Sequence, residues 1–250
     1  MVNMKGRWCL ITGAARGIGY LTAKFMAEQG ANLILHSRKL AHTEKVLAEV
    51  RAMGVEAYAV EAELSDLDSV KAMLEEIDAR GTQVDIVLNN AGLQIAYRTE
   101  YLTTPPSDYT ESFKINTIAP AMIMYHFLPG MIQRGFGRIL NTTSGIRLEP
   151  QQAGYSASKA ALDKITIDLG STVEGTDVMI NLTDPGWCRT DLGGPQAPNA
   201  PESAIPGIVV GVFVEDKKSG RFLGAQNFAG MTLEEGVAKA EKEFDSPYGK

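Results

Sequence analysis

Short apolar runs alternate with amphipathic stretches along the chain. Trp8–Thr12, Ala31–His36, Glu56–Ala62, Val84–Asn89, Arg138–Thr143 and Asp177–Leu182 are brief and apolar, and predict six strands. Between them, apolar residues recur at helical spacing over Gly17–Gln29, Lys39–Met53, Asp66–Arg80, Asp108–Gln133 and Tyr155–Val173. Gly54 and Gly81 close the second and third of these helices. Pro120 and Pro129 lie inside the fourth and predict a bend or break there. Such alternation predicts a parallel sheet with helices on both faces. From Asp184 to Pro206 the composition shifts to Gly, Pro, Asn and Ala, which predicts a long irregular or partly helical loop. A seventh strand is expected near Arg221–Ala225. Thr232-Leu-Glu-Glu235 is a capping box opening a last helix that runs towards Phe244. No repeat or linker interrupts the pattern, so a single domain over residues 1–250 is expected.

Composition narrows this little. A chain of 250 residues, 44% of them hydrophobic, buries a substantial core without disulfides or metals. A formal net charge of -6, with no lysine or arginine run, argues against a nucleic-acid partner. Cys9 sits in an apolar run and Cys188 in the Gly/Pro loop; neither has a CxxC neighbour, and His36, His42 and His126 show no ligand spacing, so no metal is expected. His126 is placed in helix packing. Met1 to Arg7 has no signal-peptide core, and no apolar stretch reaches the roughly 18 residues of a membrane span, so a cytoplasmic protein without a membrane partner is expected. The sequons at Asn141 and Asn181 fall in predicted core strands and are set aside.

The first chemistry lies between the first strand and the first helix, in Thr12-Gly-Ala-Ala-Arg-Gly-Ile-Gly19. Gly13, Gly17 and Gly19 let backbone approach a pyrophosphate, and the helix beyond Ile18 offers N–H groups and a partial positive charge. Strand, glycine triplet and helix in that order predict a doubly wound, Rossmann-type domain with a parallel sheet of about seven strands. An NAD site would carry Asp or Glu at the end of the second strand. Here the stretch is His36-Ser37-Arg38-Lys39, and no acid occurs between Ala31 and Thr43. Arg38 can pair a 2′-phosphate, with Ser37 and Arg16 assisting, so NADP(H) is the expected cofactor.

Tyr155-Ser-Ala-Ser-Lys159 places a phenol and an ammonium on one helical face. A neighbouring ammonium favours the phenolate and lowers the phenol pKa from about 10. Alone, the spacing is a common accident. With its company, from Thr12 to about Asp191, the chain resembles the short-chain dehydrogenase/reductase family. The likeness rests on the glycine loop, Asn89-Asn-Ala-Gly92, a helical Asn116, a strand-end Ser144 before Tyr155 and Lys159, and Pro185-Gly186 with Thr190.

The resemblance implies a role for each. Tyr155 exchanges the proton with the substrate oxygen while hydride passes between nicotinamide and carbon. Lys159 lowers the tyrosine pKa and holds the ribose, Ser144 polarises the substrate oxygen, and Asn116 helps hold a water leading from Lys159 to solvent. Asn90, Ala91 and Gly92 line the cofactor, Pro185, Gly186 and Thr190 flank the carboxamide, and Glu63-Leu64 stands where the family commonly has an Asp beside the adenine. Only ten residues, 145–154, separate Ser144 from Tyr155, one or two fewer than usual in the family, so Thr143 is a rival for the polarising hydroxyl.

After Pro-Gly the family carries a substrate lid, here residues 187–206 and proline-rich. Thr190-Asp-Leu-Gly-Gly-Pro195 looks like the monomeric carbonyl-reductase branch, which implies ketone, aldehyde or quinone substrates. Trp187, Leu192, Leu93, Ile95, Ile146 and Leu148 are candidates for an apolar pocket, and Cys188 beside it for modification by thiol reagents. Two alternatives stay open: a 3-oxoacyl-thioester reductase, and a regulatory protein that senses NADP without turnover. Oligomeric state is likewise open, because the family often forms dimers or tetramers while the carbonyl-reductase-like lid implies a monomer.

Overall fold

The computed structural model describes residues 1–248. Its strands are β1 (Trp8–Ile11), β2 (Asn32–Ser37), β3 (Ala57–Glu61), β4 (Val84–Asn89), β5 (Gly137–Thr142), β6 (Val178–Asp184) and β7 (Phe222–Gly224). They form one parallel sheet in the order β3-β2-β1-β4-β5-β6-β7. The chain winds outward from β1 to β3, then crosses to β4 on the other side of β1. A crevice therefore opens at the carboxyl ends of β1 and β4, where doubly wound sheets bind ligands.

Side chains alternate between two buried faces, so the strands read as nearly unbroken apolar runs. Cys9, Ile11, Leu33, Leu35, Ile86 and Leu88 point to one core; Leu10, Ile34, Val87, Ile139 and Ile180 point to the other. The first is covered by α1 (Gly17–Glu28) and α2 (Glu44–Ala52). The second is covered by α3 (Leu67–Ala79), and by helices beyond α4 (Pro106–Phe113), namely α5 (Ala119–Arg134) and α6 (Ala153–Ser171). Two later helices, α7 (Val210–Phe213) and α8 (Leu233–Glu243), close the first face. The buried turn α7 was not anticipated. Asp66 caps α3 by accepting from the N–H groups of Asp68 and Ser69, and the Thr232–Glu235 capping box is formed as expected. The acceptor amides of both sequons are fully buried in strands.

Three predicted elements differ. The stretch predicted as a helix from Lys39 begins instead as a tighter turn, Leu40–Thr43, before α2. The last strand stops short of Arg221, whose backbone N–H goes to the Asn181 side chain at 2.9 Å. The long Asp108–Gln133 helix runs from Pro106 to Arg134, and neither proline breaks it. Instead the pitch widens into a π turn over Lys114–Ile118 between α4 and α5. Pro120 has no N–H to give the Asn116 carbonyl four residues back, and the π turn, closed by the Ala119 N–H on the Lys114 carbonyl, lies directly before it. Contrary to the sequence expectation, this run is long and apolar enough to cross a membrane; 56% of its apolar window is buried within the fold, as in a core helix.

Candidate active site

The glycine loop is stapled to the end of β4. Asn90 Nδ2 donates to the Thr12 carbonyl at 2.9 Å, and the Ala91 N–H donates to Thr12 Oγ1 at 3.0 Å. Gly13 has φ +67°, and a Cβ there would lie 3.0 Å from Ala91 Cα. At Gly19 a Cβ would strike the Gly13 carbonyl and the Asn90 amide, so only glycine lets α1 start this close to the sheet. Ile18 packs against the core beneath. No side chain caps α1, which leaves its first N–H groups facing outward for an anion.

His36 locks the adjoining turn. Burial lowers its pKa, so the ring is neutral; Nδ1 accepts the Gly13 N–H at 3.3 Å and Nε2 donates to the Ala62 carbonyl at 3.1 Å. It braces the loop. His126 packs edge-on against Phe127 and reaches Asp78 at 3.1 Å. At the end of β2, Arg38 and Lys39 are exposed; Lys39 pairs with Glu61 at 3.9 Å, while Arg38 has no carboxylate partner among the described residues. Two expected helpers are engaged elsewhere. The Ser37 hydroxyl donates to the Lys39 carbonyl at 2.6 Å, and Arg16 pairs with Asp191 of the lid at 2.7 Å. The Glu63 carboxylate likewise accepts from the backbone and hydroxyl of Ser65, and Leu64 is buried in the core. Local turn chemistry has claimed both Ser37 and Glu63.

The carboxyl ends of β4, β5 and β6 surround the second half of the site. Tyr155 and Lys159 sit on one face of α6, both buried, with the Lys159 ammonium 6.0 Å from the phenol ring centre. Lys159 Nζ donates to the Thr142 carbonyl at 2.7 Å. Burial holds its pKa down at about 8, against the pull of Asp163 and Asp184. Burial pushes the Tyr155 phenol up; the Ser144 hydroxyl pulls it back, and the Asp184 charge raises it further. The expected lowering of the phenol by Lys159 is therefore not what this geometry produces. The π turn directs Asn116 at the backbone of Leu93, donating to its carbonyl and accepting its N–H at 2.8 Å each. Its amide also reaches Ser158 Oγ at 3.0 Å. A Cβ at Gly92 would lie 3.5 Å from both Asn116 Oδ1 and Lys159 Nζ, so these two polar groups flank one glycine.

Ser144 and Thr143 are distinguished by their partners. Thr143 is buried with its hydroxyl donating to Asp163 on α6. Ser144 accepts the Ile146 N–H at 3.2 Å and faces the phenol. Ser144→Ala is expected to lower kcat by about 10²–10³-fold, the usual loss for a donor to a developing oxyanion. Thr143→Val is expected to keep kcat within a few-fold but to destabilise by about 1–3 kcal/mol, because Asp163 loses its donor. Turnover and chemical denaturation of the two variants check this.

The segment 187–206, expected to form a lid, is tied internally. Arg189 Nη1 donates to the carbonyls of Ala197 and Pro198 at 3.0 and 2.7 Å, and Trp187 Nε1 donates to the Gly193 carbonyl at 2.7 Å. Gln226 donates to the Pro185 carbonyl at 2.8 Å, anchoring the Pro185-Gly186 turn. Thr190 lies across the glycine loop, 3.3 Å from where a Gly17 side chain would begin. Leu93, Ile95 and Ile146 are half-buried, whereas Trp187, Leu192 and Leu148 are exposed, Leu148 at 97%. Cys188 is buried, its thiol pushed up by burial and donating to the Pro185 carbonyl at 3.3 Å, which withdraws it as a reactive thiol. Arg189, Gln226, Asp163 and Asp184 were not singled out from sequence.

The profile of the short chain dehydrogenase family matches residues 7–200. An uncharacterized oxidoreductase of Mycobacterium tuberculosis is 33% identical over 197 residues, which is 77% of this chain and 58% of that protein. The chain thus spans less than two thirds of that relative's length. A metagenomic short-chain oxidoreductase solved with NADP is 29% identical, with a TM-score of 0.68, covering 75% of this chain and 86% of the other. A 3-oxoacyl (acyl-carrier-protein) reductase from Agrobacterium tumefaciens C58, also with NADP bound, is 26% identical at a TM-score of 0.73, covering 96% and 91%.

Proposed function

The chain belongs to the short-chain dehydrogenase/reductase family, and from that premise we propose that it is an NADP(H)-dependent oxidoreductase interconverting a ketone, aldehyde or quinone and its alcohol. The observation that carries the reading is the convergence of Tyr155, Lys159 and Ser144 beside Gly92 and Asn116, at the carboxyl ends of β4 to β6.

The residues fit the cofactor. The side-chain-free cradle of Gly13 and Gly19 and the uncapped start of α1 suit a pyrophosphate, and exposed Arg38 suits a 2′-phosphate. Asn90, Ala91 and Gly92 would line the nicotinamide half, with Pro185, Gly186 and Thr190 opposite. NADP-bound relatives support this choice. When bound, the reduced nicotinamide supplies the hydride. Tyr155 supplies the proton: its O–H bond breaks as the O–H bond of the product alcohol forms. Ser144 donates a hydrogen bond to the same substrate oxygen. Lys159 passes a proton towards the phenolate and is itself reprotonated from solvent, by way of a water that Asn116 helps to hold. The half-buried Leu93, Ile95 and Ile146 favour a mainly apolar substrate.

Reduction of a 3-oxoacyl thioester is the second reading, favoured by the nearly full-length likeness to the Agrobacterium reductase. A panel of ketones, aldehydes, quinones and an acetoacetyl thioester, followed by NADPH oxidation, separates the two. The kcat/KM with NADPH is expected to exceed that with NADH. Arg38→Asp is expected to reduce that ratio by about 10–100-fold, the worth of a charge-assisted hydrogen bond. A wild-type preference for NADH would overturn the cofactor assignment.

A further inference from the structure

Asp184, the last residue of β6, takes no part in the proton pathway above, yet it stands at its edge. It is half-buried and forms no salt bridge among the described residues. Its Oδ2 accepts the Gly145 N–H at 2.9 Å and its Oδ1 accepts the Gly186 N–H at 2.9 Å. Gly145 directly follows Ser144, and Gly186 follows Pro185. One carboxylate therefore joins the loop carrying the polarising hydroxyl to the loop beside the lid. The approach is close: a Cβ on residue 145 would lie 3.2 Å from Asp184 Oδ2.

We propose that Asp184 is a positioning residue of this centre, fixing the Ser144 loop through its two backbone hydrogen bonds and biasing Tyr155 towards proton donation through its charge. The inference rests on the reading of the site as a carbonyl-reducing centre. The Asp184 charge raises the Tyr155 phenol, so it opposes loss of the proton and favours its delivery to a carbonyl oxygen. The Asp184 charge acts on Tyr155, Lys159 and Asp163 of α6 and on Cys188 of the lid, raising each of the four. Lys159 is the only cation among them, and it is already held by the Thr142 carbonyl. Asp163 is held by the Thr143 hydroxyl. Asp184 is thus the carboxylate that touches the Ser144 loop directly.

The test compares the full-length wild type with Asp184→Asn and Asp184→Glu, using NADPH and the best substrate from the panel. Reductive kcat/KM is followed from about pH 6 to about pH 11, so that the loss of the proton from the acid is reached. In Asp184→Asn the alkaline fall-off is expected to move down by about half a unit or more, and kcat to fall as well, because the amide nitrogen cannot accept one of the two backbone N–H groups. Above the fall-off its reductive activity, relative to the wild type, is then about three-fold lower than at pH 6.5. Asp184→Glu keeps the charge but displaces the loop, so kcat is expected to fall at every pH with the fall-off unmoved. If Asp184→Asn does not fold, the Asp184→Glu profile carries the decision. A wild-type profile and kcat in Asp184→Asn, or a shifted fall-off in Asp184→Glu, would overturn the proposal. Absence of wild-type turnover on the whole panel would instead sink the functional reading on which it rests.

Discussion

Tyr155→Phe is expected to fold normally, to bind NADPH as the wild type does, and to lose about 10²–10⁴-fold in kcat, the range supplied by a positioned general acid. The substitution removes one hydroxyl and keeps the ring that packs in α6, where the residue is only 8% exposed. Apolar burial is therefore preserved, and only the proton donor is lost. Burial raises the phenol pKa, so the group enters the reaction protonated throughout the neutral range, as reduction requires. Cofactor affinity measured by fluorescence, turnover, and a thermal melt together isolate the chemical defect. A variant retaining a tenth or more of kcat would remove Tyr155 from the proton path.

Lys159→Met is expected to abolish most activity while making the protein relatively more stable at neutral pH. The ammonium is buried, and its pKa falls from the ordinary 10.5 to about 8. Below about pH 8 the lysine is charged in both folded and unfolded chains, and the folded state bears the desolvation penalty. Between about 8 and 10.5 the folded protein sheds the proton while the unfolded chain keeps it, so stability contributed by this group rises with pH. Methionine fills similar volume without charge and lacks this dependence. The stability difference between variant and wild type is expected to move by about 2 kcal/mol in favour of the wild type between pH 7 and pH 9.5. At neutral pH, loss of the bond to Thr142 offsets roughly 1 kcal/mol of the gain. Urea denaturation at the two pH values checks the sign, and a constant difference would contradict the burial argument. Such a site trades stability for chemistry.

Much of this was legible because it is local. Strand runs, the glycine loop, the capping box and the Tyr155–Lys159 spacing lie within a few residues of one another, and β4 matches its predicted span, Val84–Asn89. The π turn was not legible, because a widened pitch leaves the apolar periodicity almost unchanged. Pro120 was the only sign of it, and it signalled a break. Ser37 and Glu63 were read for the cofactor; what the sequence did not show is that both side chains also bond within their own turns, to the Lys39 carbonyl and to Ser65. The Arg16–Asp191 pair and the Asp184–Gly145 bond join segments 175 and 39 residues apart, beyond any pattern in a single sequence. Asp163 is different. It follows Lys159 by four on the same helix face, so the spacing that singled out Tyr155 and Lys159 extends to it and was readable.

The most direct test of the central claim is isotopic. NADPH carrying deuterium at the transferable C4 position is incubated with the enzyme and an apolar ketone, and the product is weighed by mass spectrometry. The account predicts an alcohol bearing one deuterium on the former carbonyl carbon, formed by the wild type and almost absent with Tyr155→Phe. Labelled NADPH that binds yet stays unoxidised, with no deuterium in any product of the panel, would contradict it.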